Sequence, residues 1–269
     1  MSDSLPSFLS AIETADSATA LTDAVQNLAD ACLIEAIPTL IKALSYNNPG
    51  AAVAAVDGLV QLGEQTVPAL LTQLDSHNYT ARSWAIRALA GIGDPRGLVT
   101  LLGAATADFS MSVRRAAARG LGNLKWHQFP HELLTIAQAE VLEALLFVAQ
   151  QDEEWVVRYA AVVGLEALSL ALAATHASGR AQIQAQFDRM LNEEQSLSVR
   201  ARVLHAQRTL QAFAPRVEEI SETGHYTLST TDWEQILEKL YARKHKERMV
   251  IPEGDPRHYR ELLEVSPLN

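Results

Sequence analysis

Asp57, Arg87 and Arg119 share one register of a sequence that repeats itself. Each lies five residues after an equivalent position, at Ala52, Arg82 and Arg114; Val163 and His205 hold the same place after Arg158 and Arg200. A guanidinium grips a carboxylate through two parallel N–H···O bonds. A carboxylate accepts N–H donors and favours a protonated ring system. Trp84, three residues before Arg87, offers a flat face for stacking, and Tyr159 and Trp155 extend an aromatic wall in a later unit. The set suits a flat, conjugated ligand with two acidic arms and pyrrole-like N–H groups. A plainer arrangement uses the same residues: Asp57 and Arg87 pair with each other across neighbouring helices.

Other chemistries find little support. The chain has neither Gly-x-Ser-x-Gly nor a Walker A loop. Its eight histidines are scattered, and His131-Glu132 is the only His-Glu step, so no metal site is expected. With 269 residues, 48% of them hydrophobic, the chain can bury a core. A net charge of −10 argues against general binding to nucleic acid or anionic membranes. No apolar run reaches the length of a membrane span. Met1-Ser2-Asp3-Ser4 lacks the start of a secretion signal. A single cysteine, Cys32, cannot close an internal disulfide, and a reducing, cytoplasmic setting is expected. Cys32 falls in the apolar helical stretch from Asp30 to Ile37, which predicts a buried, inert thiol.

The elements that position the charged row are read from the repeat. The stretches from Asn48 to Gly63 and from Asn78 to Gly93 align, as does Ser110 to Leu124; looser copies begin at Trp155 and Leu197. The equivalent positions 52, 82, 114, 158 and 200 are 30, 32, 44 and 42 residues apart. Each unit reads as two helices, for example Val67 to Leu74 and then Ala81 to Ile92, with apolar residues at i, i+3, i+4 and i+7. Pro38, Pro68 and Pro95 stand near the start of a first helix, where a missing N–H costs little. Gly63 and Gly93 suit the helix C-terminal position that needs positive φ. The predicted fold is all-α, an α-solenoid of HEAT-like helix pairs with an extra C-terminal helix and tail. Residues 1–20 are expected to form an N-terminal cap, 21–213 the solenoid, and 214–269 an extension with one amphipathic helix over about 231–247. Asp108 to Arg114 and Asp152 to Arg158 share an Asp-then-Val-Arg pattern. Arg82, Arg114, Arg158 and Arg200 are therefore expected to form a structural ladder, each pairing with a turn carboxylate or helix-end carbonyl of a neighbour.

The runs from Tyr46 to Leu59, Ala81 to Arg96 and Ser112 to Gly122 closely resemble the F-type subunit of the cyanobacterial E/F phycobilin lyases. The resemblance covers about residues 20–210 and is strongest over 36–126. It implies a heterodimer with an E-type HEAT-repeat subunit. The pair attaches phycocyanobilin, a substrate rather than a resident cofactor, to a cysteine of the phycocyanin α subunit. The acceptor thiol adds to the ethylidene group of ring A and gives a thioether. On this likeness Arg87 and Arg119 hold the propionates, Asp57 the central pyrrole nitrogens, and Trp84 and Tyr159 limit chromophore twist. Cys32 becomes at most a transient bilin carrier. Related pairs that isomerise the bilin carry a His-Cys motif; here Lys125-Trp126-His127-Gln128 has His127 without a cysteine, which implies plain attachment. His127 is otherwise an ordinary loop histidine. The extension past Pro215 is longer than the resemblance leads one to expect. It leaves open a non-catalytic HEAT-repeat scaffold or chaperone for a phycobiliprotein or another protein partner.

Overall fold

A computed structural model describes residues 4–74, 78–172, 177–212 and 230–249. Among the described residues of the first unit there are twelve helices: α1 (Leu5–Glu13), α2 (Ala18–Asp30), α3 (Ile37–Ala43), α4 (Pro49–Leu62), α5 (Val67–Gln73), α6 (Tyr79–Ile92), α7 (Leu98–Ala107), α8 (Met111–Gly122), α9 (His131–Gln151), α10 (Trp155–Ala171), α11 (Ala177–Glu193) and α12 (Leu197–Ala212). Short 3₁₀ turns join some of them. No strand occurs among the described residues. The chain divides into two compact units, Met1–Tyr226 and Thr227–Asn269. The expected boundary at 213–214 lies outside the described residues. The second unit contains α13 (Thr230–Met249), on which Trp233, Ile236 and Leu240 are spaced for one face.

Odd-numbered helices pair with the even-numbered helix that follows, and the even helices stack in sequence from α2 to α12. This is the expected helix-pair solenoid. Equivalent positions do equivalent work. Ala55, Ala85, Ala117 and Ala161 are fully buried, and Leu59, Leu89, Leu121 and Leu165 fill the space between the two layers. Small residues let the second helices approach closely. A Cβ on Gly120 would stand 2.4 Å from the Cβ of Ala90, and one on Gly122 only 2.1 Å from the carbonyl oxygen of Gly164. At that spacing α8 and α10 meet backbone to backbone. The first helices stack more loosely.

Helix ends follow local chemistry. Asn48 and Asn78 accept the N–H of Ala51 and Ala81, each at 3.1 Å, capping α4 and α6. Gly63 and Gly93 close the same helices with φ of 71° and 69°. Pro38 and Pro68 occupy the first turn of α3 and α5, and Pro95 opens the 3₁₀ turn before α7.

Cys32 departs from expectation. It is exposed rather than buried, and it has a positive φ of 50°. Helix α2 ends at Asp30. The N–H of Cys32 then bonds the carbonyl of Ala29 at 3.1 Å, so this residue turns the chain away from the core toward the short 3₁₀ turn Ile34–Ala36. The apolar run around Cys32 is thus a helix terminus and a turn, not a continuous buried helix.

Candidate functional site

Two rows of polar side chains run across the second helices. The first is the ladder. Arg82 approaches Asp108 at 3.2 Å. Arg114 makes two bonds to Asp152, at 2.7 and 3.1 Å, and donates to the backbone carbonyls of Asp108 and Phe109. Arg158 repeats this with Glu194, at 2.7 and 2.8 Å, and with the carbonyls of Asp152 and Glu153. Each carboxylate is used twice. Asp108, Asp152 and Glu194 also accept the backbone N–H of Ser110, Glu154 and Ser196, at the entry to the next second helix. One acid therefore caps its own helix and anchors the preceding repeat. The Arg158 fork and the Ser196 N–H hold the Glu194 carboxyl below its usual range, against the opposing effect of burial. Arg158 is correspondingly raised, first by its hydrogen bonds to Glu194. The structural role expected for these arginines is met at three rungs. The fourth, Arg200, is exposed.

The second row is five residues further along the same helices. Asp57 on α4, Arg87 on α6 and Arg119 on α8 are all exposed. These three helices are successive members of the second-helix layer. Among the described residues no ion pair joins Asp57 to Arg87, and the guanidinium of Arg87 instead lies 5.4 Å from the centre of the Trp84 ring. Trp84 is half-buried beneath the exposed guanidinium of Arg87. Val163 leaves a gap in the row on α10, and exposed His205 on α12 resumes it.

The other expected members lie outside this register, on α10 and in the turn after α8. Tyr159 and Trp155 are exposed on the first turns of α10, one face of which also carries Val163 and Leu170. His127 is exposed in the 3₁₀ turn Trp126–Gln128 beyond the end of α8. At 1.5 Å per residue, Tyr159 and His127 are separated along the helix direction by about 10 Å or more. Asp57, Trp84, Arg87 and Arg119 thus stand on the successive second helices α4, α6 and α8, with Arg87 against Trp84, while Tyr159 stands on α10 and His127 beyond the end of α8.

Two polar contacts have no counterpart in the sequence pattern. Glu64 accepts from Gln128 at 2.7 Å and from Lys125 at 3.0 Å, across two repeats. Burial pushes the Glu64 carboxyl up, but these two hydrogen bonds and the charges of Lys125 and Arg96 outweigh it and the carboxyl is lowered. This network holds the turn that carries His127. The stacking of Trp126 on Phe129, with centroids 5.3 Å apart, steadies the same turn. On the later repeats, buried Glu166 of α10 pairs with Arg202 of α12, whose guanidinium also reaches Nδ1 of His205 at 3.1 Å. Neither contact has a local sequence signal, because the partners are 36 to 64 residues apart.

No helix among the described residues is long and apolar enough to cross a membrane. A family model described as HEAT repeats matches residues 37–122 and 67–166. A phycocyanobilin lyase subunit beta of Pseudanabaena tenuis (strain PCC 7409) is 58% identical over 273 residues, covering 97% of each chain. A phycocyanobilin lyase subunit beta of a Nostoc species (strain PCC 7120) is 48% identical and covers 74% of this chain but 96% of its own. Among solved structures, a chain from the complex of CpcE and CpcF of phycocyanin lyase from Nostoc sp. PCC7120 matches with a TM-score of 0.59 and 49% identity. That match takes in 65% of this chain and 99% of the other. Near-complete coverage at such identity, together with the repeat architecture, shows that this chain belongs to the phycocyanobilin lyase beta-subunit family.

Proposed function

We propose that this chain is one subunit of a heterodimeric phycocyanobilin lyase and works with an E-type HEAT-repeat partner. The observation that carries the reading is the exposed row of Asp57, Arg87 and Arg119. Among the described residues its charges have no ion-pair partners, while the arginines five residues away are bound into the scaffold. The substrate is an open-chain tetrapyrrole with two propionates, and the acceptor is a cysteine of the phycocyanin α subunit. Arg87 and Arg119 bind the propionates. Asp57 faces the pyrrole N–H groups and favours a protonated chromophore. Trp84 and Tyr159 restrict its twist.

The acceptor cysteine supplies the nucleophile, so this chain needs none of its own. The acceptor sulfur forms a bond to the ethylidene carbon, the exocyclic double bond is consumed, and the thiol proton passes to the ring carbon. The work of the groove is orientation: holding ring A against one thiol in one stereochemical sense gives the proximity gain. His127 stands without an adjacent cysteine, which favours plain attachment over attachment with isomerisation. The bilin is a substrate, and no resident cofactor enters the scheme. On this reading the chain works in the cyanobacterial cytoplasm, where its acceptor is assembled into phycobilisomes. The test is reconstitution of the pair with Arg87→Ala and Arg119→Ala. Loss of bilin uptake supports the groove, whereas unchanged uptake and product reject it.

A further inference from the structure

The stretch from Tyr79 to Gly122 holds six arginines and only two carboxylates, in a chain whose net charge is −10. Both carboxylates are taken, Asp94 by Arg96 at 2.7 Å and Asp108 by Arg82 at 3.2 Å. Arg114 is forked onto Asp152 of the next repeat. Three guanidiniums are left over, those of Arg87, Arg115 and Arg119. All three residues are exposed, and none has an ion-pair partner among the described residues. The helices that carry them, α6 and α8, contain no acidic residue.

Arg115 has no part in the ladder. It stands one turn before Arg119 on α8, and at this i, i+4 spacing the two side chains share a face with Cβ atoms about 5–6 Å apart. Like charges so placed destabilise a helix. The same register holds Ser83 on α6 and Tyr159 on α10, and α8 packs directly against both helices. Neither neighbour supplies an acid: the Ser83 hydroxyl donates to the carbonyl of Tyr79 at 3.0 Å. Arg115 is thus a turn away from Arg119 and in register with Tyr159, and it links the charged row to that aromatic residue. Repelling cations left unpaired on one face suit an anion with more than one acidic group. Two guanidiniums a turn apart can hold one carboxylate between them, while Arg87, over the Trp84 ring, takes another.

We infer that Arg115 is a third bilin-binding guanidinium, which with Arg119 clamps one propionate and leaves the other to Arg87. This rests on the bilin-lyase reading above. The experiment titrates phycocyanobilin, and separately its propionate dimethyl ester, against the reconstituted pair carrying the wild-type chain, Arg115→Ala or Arg115→Lys, followed by absorbance. For Arg115→Ala the expected result is about a tenfold rise in Kd for the free acid and less than about twofold for the ester, which has no carboxylate to grip. Arg115→Lys recovers part of the affinity, because the charge returns without the fork. The melting temperature of the pair does not fall, since the altered side chain is exposed and a like-charge contact is relieved. Unchanged Kd for the free acid overturns the assignment. So does an equal loss for acid and ester, which makes Arg115 a packing contact. Loss of pair formation, or of acceptor binding with bilin uptake intact, assigns the guanidinium to a protein surface and overturns it as well. Arg87→Ala with Arg119→Ala separates this inference from the reading beneath it. If that variant loses uptake and Arg115→Ala does not, the role of Arg115 alone falls; if neither loses uptake, the charged row falls as the bilin site.

Discussion

Two arginine rows stand on the same helices, five residues apart, and have opposite fates. Arg114 and Arg158 are largely buried, each forked onto a carboxylate of the next repeat and onto two backbone carbonyls. Arg87 and Arg119 are exposed and have no carboxylate partner among the described residues. The residue type is the same, and so is the layer of helices. What differs is angular position: a step of five residues at 100° each turns the side chain away from the neighbouring repeat and onto an exposed face. Charge that points along the stack is scaffold. Charge that points across it remains available to a ligand.

This contrast can be broken most forcefully at its scaffold side. Arg158→Ala leaves the Glu194 carboxylate, largely buried, without its fork and should cost about 3 kcal/mol of unfolding free energy. Chemical denaturation would show it, and a loss within error of zero would remove the ladder from the account of stability. The opposite pattern is expected across the stack. Arg87→Ala with Arg119→Ala should lower bilin uptake by roughly tenfold, while each single change moves stability by no more than about 0.5 kcal/mol. An equal loss of stability would make the second row scaffold too.

Arg82→Ala should fall between the two rows, at about 1 kcal/mol, because its contact with Asp108 is single and partly exposed. Acid titration sharpens the same point. The Glu194 carboxyl is lowered from the ordinary value of 4.5, so the native state holds fewer protons than the unfolded one. Its contribution is present above that value and is lost as the pH falls through the lowered one. Thermal melts between pH 5 and acid should therefore decline less steeply in Arg158→Ala than in wild type, and parallel curves would count against the rung. The smallest effect is expected at Cys32. Cys32→Ser should preserve lyase activity of the pair, since the acceptor supplies the thiol; lost activity with intact folding would restore a carrier role to this exposed residue.

Much of the fold is legible in the sequence because repetition turns a weak local signal into a strong one. One Asp followed six residues later by Arg means little. The same spacing at Asp108–Arg114 and Asp152–Arg158, on helices with matching alanines and leucines, predicts a stacked ladder, and the structure has it. Gly63 and Gly93 are equally legible, since a helix end at positive φ favours glycine. Cys32 defeats the same reasoning for the converse reason. Its apolar neighbours satisfy a helix and a turn equally well, and only the course of the chain after α2 shows that the backbone turns there. The tie from Glu64 to Lys125 and Gln128 is invisible in the sequence, because nothing local marks residues more than 60 positions apart as neighbours.

The relatives differ in how much of this chain they match. The match to the Pseudanabaena protein takes in nearly all of this chain, whereas the Nostoc protein matches along nearly all of its own length and covers only 74% of this one.

By itself the order of residues determined the helix pairs, their register and the identity of the groups carried at each register, because all three follow from periodicity within a few turns of chain. Which of those groups would be consumed and which left free was decided by stacking. Whether Arg114 finds Asp152, whether Arg87 faces the open side, and whether Arg200 is left exposed depend on distances between repeats, and those exist only once the helices have packed.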